Sequence, residues 1–167
     1  KKTKELVKLF STPIFELVVK LTDYTLFFVT GDYESAFNIA REINESALKL
    51  QSGNYIFLSY RFLGECSYYM NKPGAAIEYY TLSGNYVDKS NVGDEMLLRM
   101  LVTISQFEMK CTEQIETGLL EIYSYNDSVN SNYAKEVAGC YLSKYYLKAG
   151  NTATALNYLE KTLSLAK

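Results

Sequence analysis

The residue types that usually carry chemistry are thinly supplied in this 167-residue chain. It has no histidine. The commonest general base and the commonest metal ligand are therefore both missing, and neither a Ser/His/Asp nor a Cys/His nucleophile can be assembled. Carboxylates do recur at helical spacing, Glu42 with Glu45 and Glu113 with Glu116. Such a pair does acid–base work only where a cleft shifts its pKa values; on an amphipathic helix the same spacing marks a solvated surface, which is the reading adopted. Cys66, Cys111 and Cys140 are widely separated, with no CxxC or Cys/His pattern. That suits small buried thiols in a reducing compartment better than a zinc site or a disulfide framework. No GxxxxGK[ST] or GxGxxG segment offers a phosphate cradle. The expectation is a chain that is not an enzyme and needs no metal or cofactor.

Tyrosine is the abundant functional group, at sixteen residues against eight phenylalanines and no tryptophan. Its ring brings apolar area and its hydroxyl needs a partner when buried, so it suits helix–helix seams and half-wet grooves alike. Tyr24, Tyr33, Tyr60, Tyr80, Tyr146 and Tyr158 are assigned to packing. Tyr68 or Tyr69 is the one expected to reach an open surface, since neighbours on a helix point about 100° apart. Stacking on single-stranded nucleic acid would need interleaved cations. The net charge is −2, and residues 84 to 130 carry eight acids against Lys89, Arg99 and Lys110. Both chain ends are mildly basic, which reads as solvated helix surface, and no overall field would hold the chain on nucleic acid or an anionic membrane.

The elements that must position these residues read as helices. Two prolines leave long runs uninterrupted. The most apolar stretch, PIFELVVKLTDYTLFFV, contains Glu16, Lys20 and Asp23, too many charges for a bilayer span but acceptable in a buried or interface helix. The opening KKTKELVKLF lacks the long apolar core and cleavage site of a secretory signal, so a cytoplasmic location is expected. The chain starts without methionine inside what reads as a helix. Residues 1 to 12 are therefore expected to be the tail of a preceding helix in a longer protein, with Leu6, Leu9 and Phe10 seeking cover.

Four turn-like breaks recur at Gly31, Asn71, Cys111 and Gly150, spaced by 40, 40 and 39 residues. Apolar residues return at intervals of three and four on both sides of each break, as Ile56, Tyr60, Leu63 and Ser67 do before the second, and Ala76, Ile77, Tyr80 and Ser83 after it. The layout predicted is helices at 13–29 and 33–50, 54–70 and 73–88, 92–109 and 112–126, 131–148 and 152–166. These form hairpins 13–50, 54–88, 92–126 and 131–166 within one domain, 1–167. Gly53-Asn54 and residues 126–132 are predicted loops. No single hairpin covers its own apolar face, so neighbours must stack. A small residue five places after the break, Ala36, Ala76 or Ala155, allows the paired backbones to approach. The third unit has Glu116 there with Gly118 nearby, so either its register slips or it packs loosely.

On these residues the chain resembles the tetratricopeptide repeat family. Leu63, Gly64, Tyr68, Ala76, Tyr80 and Ser83 are similar to that pattern, and Tyr60 stands at its opening aromatic. The last unit matches through Leu142, Tyr146, Gly150, Ala155 and Leu159, with Ser143 in the glycine slot, and the first through Phe27, Gly31, Tyr33 and Ala36. The period near 40 exceeds the family's usual 34, which implies elongated helices. The resemblance implies an all-α fold: a right-handed superhelix, or α-solenoid, of about four antiparallel hairpins.

In that family the first helices line a concave, partner-binding surface. Carried onto this chain, the surface falls on Val18, Leu21, Thr25 and Phe28; on Arg61, Glu65, Tyr68 and Tyr69; on Leu98, Leu101, Ser105 and Glu108; and on Cys140, Lys144 and Lys148. The candidate contacts for a protein or peptide are Arg61, Glu65, Tyr68, Tyr69, Ser105, Glu108, Lys144 and Lys148, the cations pairing with acidic groups. The family's carboxylate clamp does not carry over, because its slots hold Leu21, Thr25 and Phe62. The function implied is non-catalytic binding of a protein or peptide. The alternative is a peptide-sensing and dimerisation domain similar to the repeats of bacterial transcription regulators, separated from its DNA-reading head. Val18, Leu21 and Phe28 are the candidates for a homodimer face.

Overall fold

Three-residue turns, 30–32, 50–52, 70–72 and 149–151, join many of the neighbouring helices, while seven residues, 85–91, separate Gly84 from Val92. The computed structural model describes residues 12–88, 90–109, 113–125 and 131–165. Among them the regular elements are all α-helices: α1 (Pro13–Val29), α2 (Tyr33–Lys49), α3 (Gly53–Tyr69), α4 (Pro73–Gly84), α5 (Val92–Met109), α6 (Glu113–Ser124), α7 (Ser131–Lys148) and α8 (Thr152–Leu165). None is long and apolar enough to cross a membrane.

The starts follow from side chains that accept an orphan amide of the first turn. Thr12 accepts from Phe15 N at 3.4 Å ahead of Pro13, Asp32 from Ser35 N at 3.1 Å, and Asn151 from Thr154 N at 3.1 Å. The ends use the left-handed backbone. Gly31, Asn71 and Gly150 have φ of 83°, 60° and 78°. The following amides, of Asp32, Lys72 and Asn151, donate to Phe27, Ser67 and Tyr146 O at 3.0, 2.9 and 2.8 Å. These are the bonds that close a helix through a left-handed residue. Three of the four expected break points are thus real helix ends, and the fourth, Cys111, lies outside the described residues.

Three boundaries differ from the sequence expectation, one of them the end of α6, at Ser124 instead of 126. The turn between α2 and α3 is made by Gln51, with φ 53°, and Gly53 already belongs to α3. Helix α4 stops at Gly84, with Asn85 and Tyr86 in a turn, instead of running to 88. The expected helix tail at 1–11 and most of the expected loop, 126–130, lie outside the described residues.

The chain divides into two compact units, Lys1–Asp88 and Lys89–Lys167. In the first, each helix packs on the next in sequence around Leu17, Tyr24, Ala36, Ala40, Ile43, Leu63 and Cys66. Contacts also skip one element: Tyr24 of α1 stacks on Phe62 of α3, and Phe37 of α2 meets Tyr79 of α4 edge-on. The small residues sit at the seams. Ala36 and Ala76 are fully buried, and a Cβ built on Gly64 would fall 2.6 Å from Tyr80 Cδ1. Buried polar groups are satisfied across the seams. Ser83 Oγ donates to Phe57 O at 2.8 Å and Asn44 Nδ2 to Ser59 Oγ at 2.9 Å, so their burial leaves no unpaired donor.

The second unit contains α5 to α8, with one cluster around Phe107, Ile115, Leu119, Leu142 and Tyr145 and another around Met100, Ile104, Ile122 and Ala138. Its register answers the question left by Glu116. The buried positions of α4 are Ala76, Tyr80 and Ser83, and those of α6 are Ile115, Leu119 and Ile122. Counted from Asn71 and Cys111, the second set falls one residue earlier. The register slips, Glu116 turns off the seam, and the close approach moves to Gly118, where a Cβ would lie 3.3 Å from the Thr103 side chain. In the last pair, Ser143 takes the glycine slot and donates to Ala155 O at 2.9 Å.

Candidate functional site

The first unit gathers four of the expected site residues on α3. Arg61 and Glu65 stand one turn apart, with Arg61 Nε 3.4 Å from Glu65 Oε1, although that nitrogen makes no hydrogen bond. The Tyr24 hydroxyl on α1 donates to the other carboxylate oxygen at 3.0 Å, while the Tyr24 ring lies on Phe62 with centroids 4.0 Å apart. Burial raises the Glu65 pKa, and this outweighs the opposing pull of the Arg61 charge and the Tyr24 hydrogen bond. Burial, then the Glu65 charge, drives the Tyr24 phenol upward too. Beside them the Cys66 thiol is pushed up to about 12, chiefly by burial. A thiol held protonated is a poor nucleophile, and the polar knot around it joins α1 to α3.

Next to the knot the rings form a continuous surface. Phe28 meets Tyr33 and Tyr69 edge-on at 5.5 and 5.4 Å, Tyr33 stacks on Tyr69 at 5.0 Å, and Tyr68 stands perpendicular to Tyr69 at 5.5 Å. Tyr69 is 54% exposed, so part of this aromatic step faces outward. Leu21 and Phe28, expected on a dimer face, are half-buried against the core, whereas Val18 is open.

The remaining four expected residues lie in the second unit. Ser105 corrects the expectation: it is fully buried and its hydroxyl donates to Leu101 O at 2.8 Å, so it lines no open surface. Glu108 is exposed. Lys144 and Lys148, one turn apart on α7, place Nζ 4.6 Å from the Tyr141 ring centroid and 4.2 Å from that of Phe107. Each ammonium thus rests on an aromatic ring and remains exposed. Among the described residues no group of three His, Cys, Asp or Glu side chains could hold a metal ion.

Tyr24, Phe28 and Tyr33 complete the first cluster, yet the sequence reading gave Tyr24 and Tyr33 to packing alone. A signal was present. Tyr24 and Glu65, like Phe28 and Tyr69, are 41 residues apart, one more than the distance from Gly31 to Asn71. That spacing pairs α1 with α3. Comparison with family models, with curated proteins and with solved structures returns no match for the chain.

Proposed function

We propose that the chain is a non-catalytic helical-repeat domain of tetratricopeptide type, whose first unit binds a protein or peptide segment across α1 and α3. The observation that carries this reading is the half-open aromatic step of Phe28, Tyr33, Tyr68 and Tyr69 beside the Arg61–Glu65 pair. Rings already fixed by one another present area to a partner with little further loss of rotamer freedom, which is why such residues anchor interfaces. Arg61 carries five N–H donors and its Nε, 3.4 Å from Glu65 Oε1, makes no hydrogen bond there, so the guanidinium suits a carboxylate on the bound segment. The repeat assignment is supported by the buried Ala36 and Ala76, by Gly64 beneath Tyr80, and by contacts between α1 and α3 that span close to the 40-residue spacing of the sequence breaks. In the second unit Lys144 and Lys148 are further contacts for acidic groups.

The test is selection of peptides from a displayed random library on the full chain, followed by titration of the winners against variants. Tyr69→Ala should weaken binding at least tenfold, about 1.4 kcal/mol, with helix content kept and thermal unfolding lowered only by the loss of its ring contacts, and Arg61→Ala should act most on acidic peptides. Winners that bind Tyr69→Ala and Arg61→Ala as tightly as the parent would overturn the proposal.

A further inference from the structure

Helix α1 has two faces in different surroundings. Leu17 and Tyr24 are buried in the core, with Leu21, Phe27 and Phe28 packed against it. On the opposite side Ile14, Val18, Val19, Leu26 and Val29 are between 44% and 72% exposed, and the exposed Thr22 and Thr25 lie among them. At about 100° per residue these seven positions span an arc of about 140° that contains no charge. Glu16, Lys20 and Asp23 all fall outside it, and Lys20 is paired with Glu42 at 3.0 Å. An aliphatic surface of this kind marks a contact with another body.

The threonines do not oppose drying the face. Thr22 Oγ1 donates to Val18 O at 3.1 Å and Thr25 Oγ1 to Leu21 O at 2.9 Å, so covering the face would strand neither hydroxyl proton. We propose that this face joins two copies of the chain, with the two α1 helices antiparallel and crossing at Thr22.

Three properties select a second copy as the occupant. The face has no charge with which to attract or orient a charged partner, and a matching surface of the same chemistry exists on another copy. Its five aliphatic side chains expose on the order of 500 Å2, so a pair would bury on the order of 1,000 Å2, the size at which an interface becomes specific. The order of side chains is also self-complementary about Thr22, as a two-fold contact demands. Val18 meets Leu26, Val19 meets Thr25, and the small Thr22 meets itself where the backbones come closest. Antiparallel pairing further sets the positive end of each helix dipole beside the negative end of the other.

Sedimentation velocity on the full chain tests the proposal. A dimer is expected at tens of micromolar, and Leu26→Glu or Val19→Glu should give monomers with the parent's helix content and melting temperature. Geometry is tested in a Cys111→Ser, Cys140→Ser background: Thr22→Cys should form a disulfide-linked dimer on mild oxidation, while Val29→Cys, placed opposite Phe15, should not. A chain that stays monomeric at every concentration, or a dimer that survives both charged variants, overturns the proposal. Crosslinking at Val29 in place of Thr22 overturns the antiparallel arrangement. These substitutions lie outside the aromatic step, so their outcome is separate from that of peptide binding.

Discussion

Gly64 has no side chain because Tyr80 occupies the space a Cβ would take. Gly64→Ala must push the ring or part the helices, and overpacking of this sort costs about 1–3 kcal/mol. A shifted urea midpoint would measure it, and adding Tyr80→Leu should return part of the loss. Glu65 supports a second expectation, about pH. Burial lifts its folded pKa above the unfolded value, about 4.3 for glutamate. The folded chain therefore keeps this proton where the unfolded chain has lost it. Its stabilising contribution is complete below the unfolded pKa and is lost as pH rises through the folded one. Asp32 acts in the opposite sense, since its bond from Ser35 lowers its pKa and its contribution disappears as pH falls. Comparing Glu65→Gln with the parent isolates the first effect: the variant should gain less stability than the parent between neutral pH and about pH 5, and identical slopes in thermal unfolding would refute the assignment. Gly64 and Tyr80 were legible because a missing side chain facing a large one belongs to the repeat pattern that the sequence resembles. The Tyr24–Glu65 bond was not, because spacing brings two helices together without deciding which way a phenol points.

At the scale of helices and turns, the sequence reading succeeded where backbone chemistry is written in residue type. Glycine and asparagine adopt the left-handed region at little cost, so Gly31, Asn71 and Gly150 announced their helix ends. Glutamine carries no such signal, and nearby Gly53 drew the expected turn two residues too far. Gln51 at φ 53° bears a Cβ penalty on the order of 1 kcal/mol. Gln51→Gly should remove it at some cost in unfolded-chain entropy, for a net gain of about 0.5 kcal/mol; an unchanged or lower melting temperature would contradict this. The one-residue slip of α6 was half legible. Glu116 at a seam position signalled trouble, but only the burial of Ile115, Leu119 and Ile122 shows how the helix turned to avoid burying a carboxylate.

For the molecule as a whole, composition narrows the expected chemistry more readily than it names a partner. A chain with no histidine lacks the commonest general base, but aromatic richness serves cores and binding surfaces equally. The helices, and the grouping of Arg61, Glu65, Tyr68 and Tyr69 on one of them, were legible in the sequence, whereas the burial of Ser105 was not, because helical spacing alone cannot assign it to one side or the other. Cooperative opening of the first unit can be followed at Cys66, which is fully buried with a raised pKa. With Cys111 and Cys140 replaced by serine, a thiol reagent should label Cys66 only through large-scale opening, at a rate that urea accelerates in step with the loss of helical dichroism. Fast labelling in native buffer would mean that the α1–α3 core opens locally.

The stacked pair of Tyr33 and Tyr69 also gives the protein an optical handle. Lacking tryptophan, the chain emits ultraviolet light from tyrosine alone, and these two rings lie where a ligand is proposed to settle. A guest peptide bearing one indole would accept their excitation by resonance transfer, so occupancy could be read from unlabelled protein in a single cuvette.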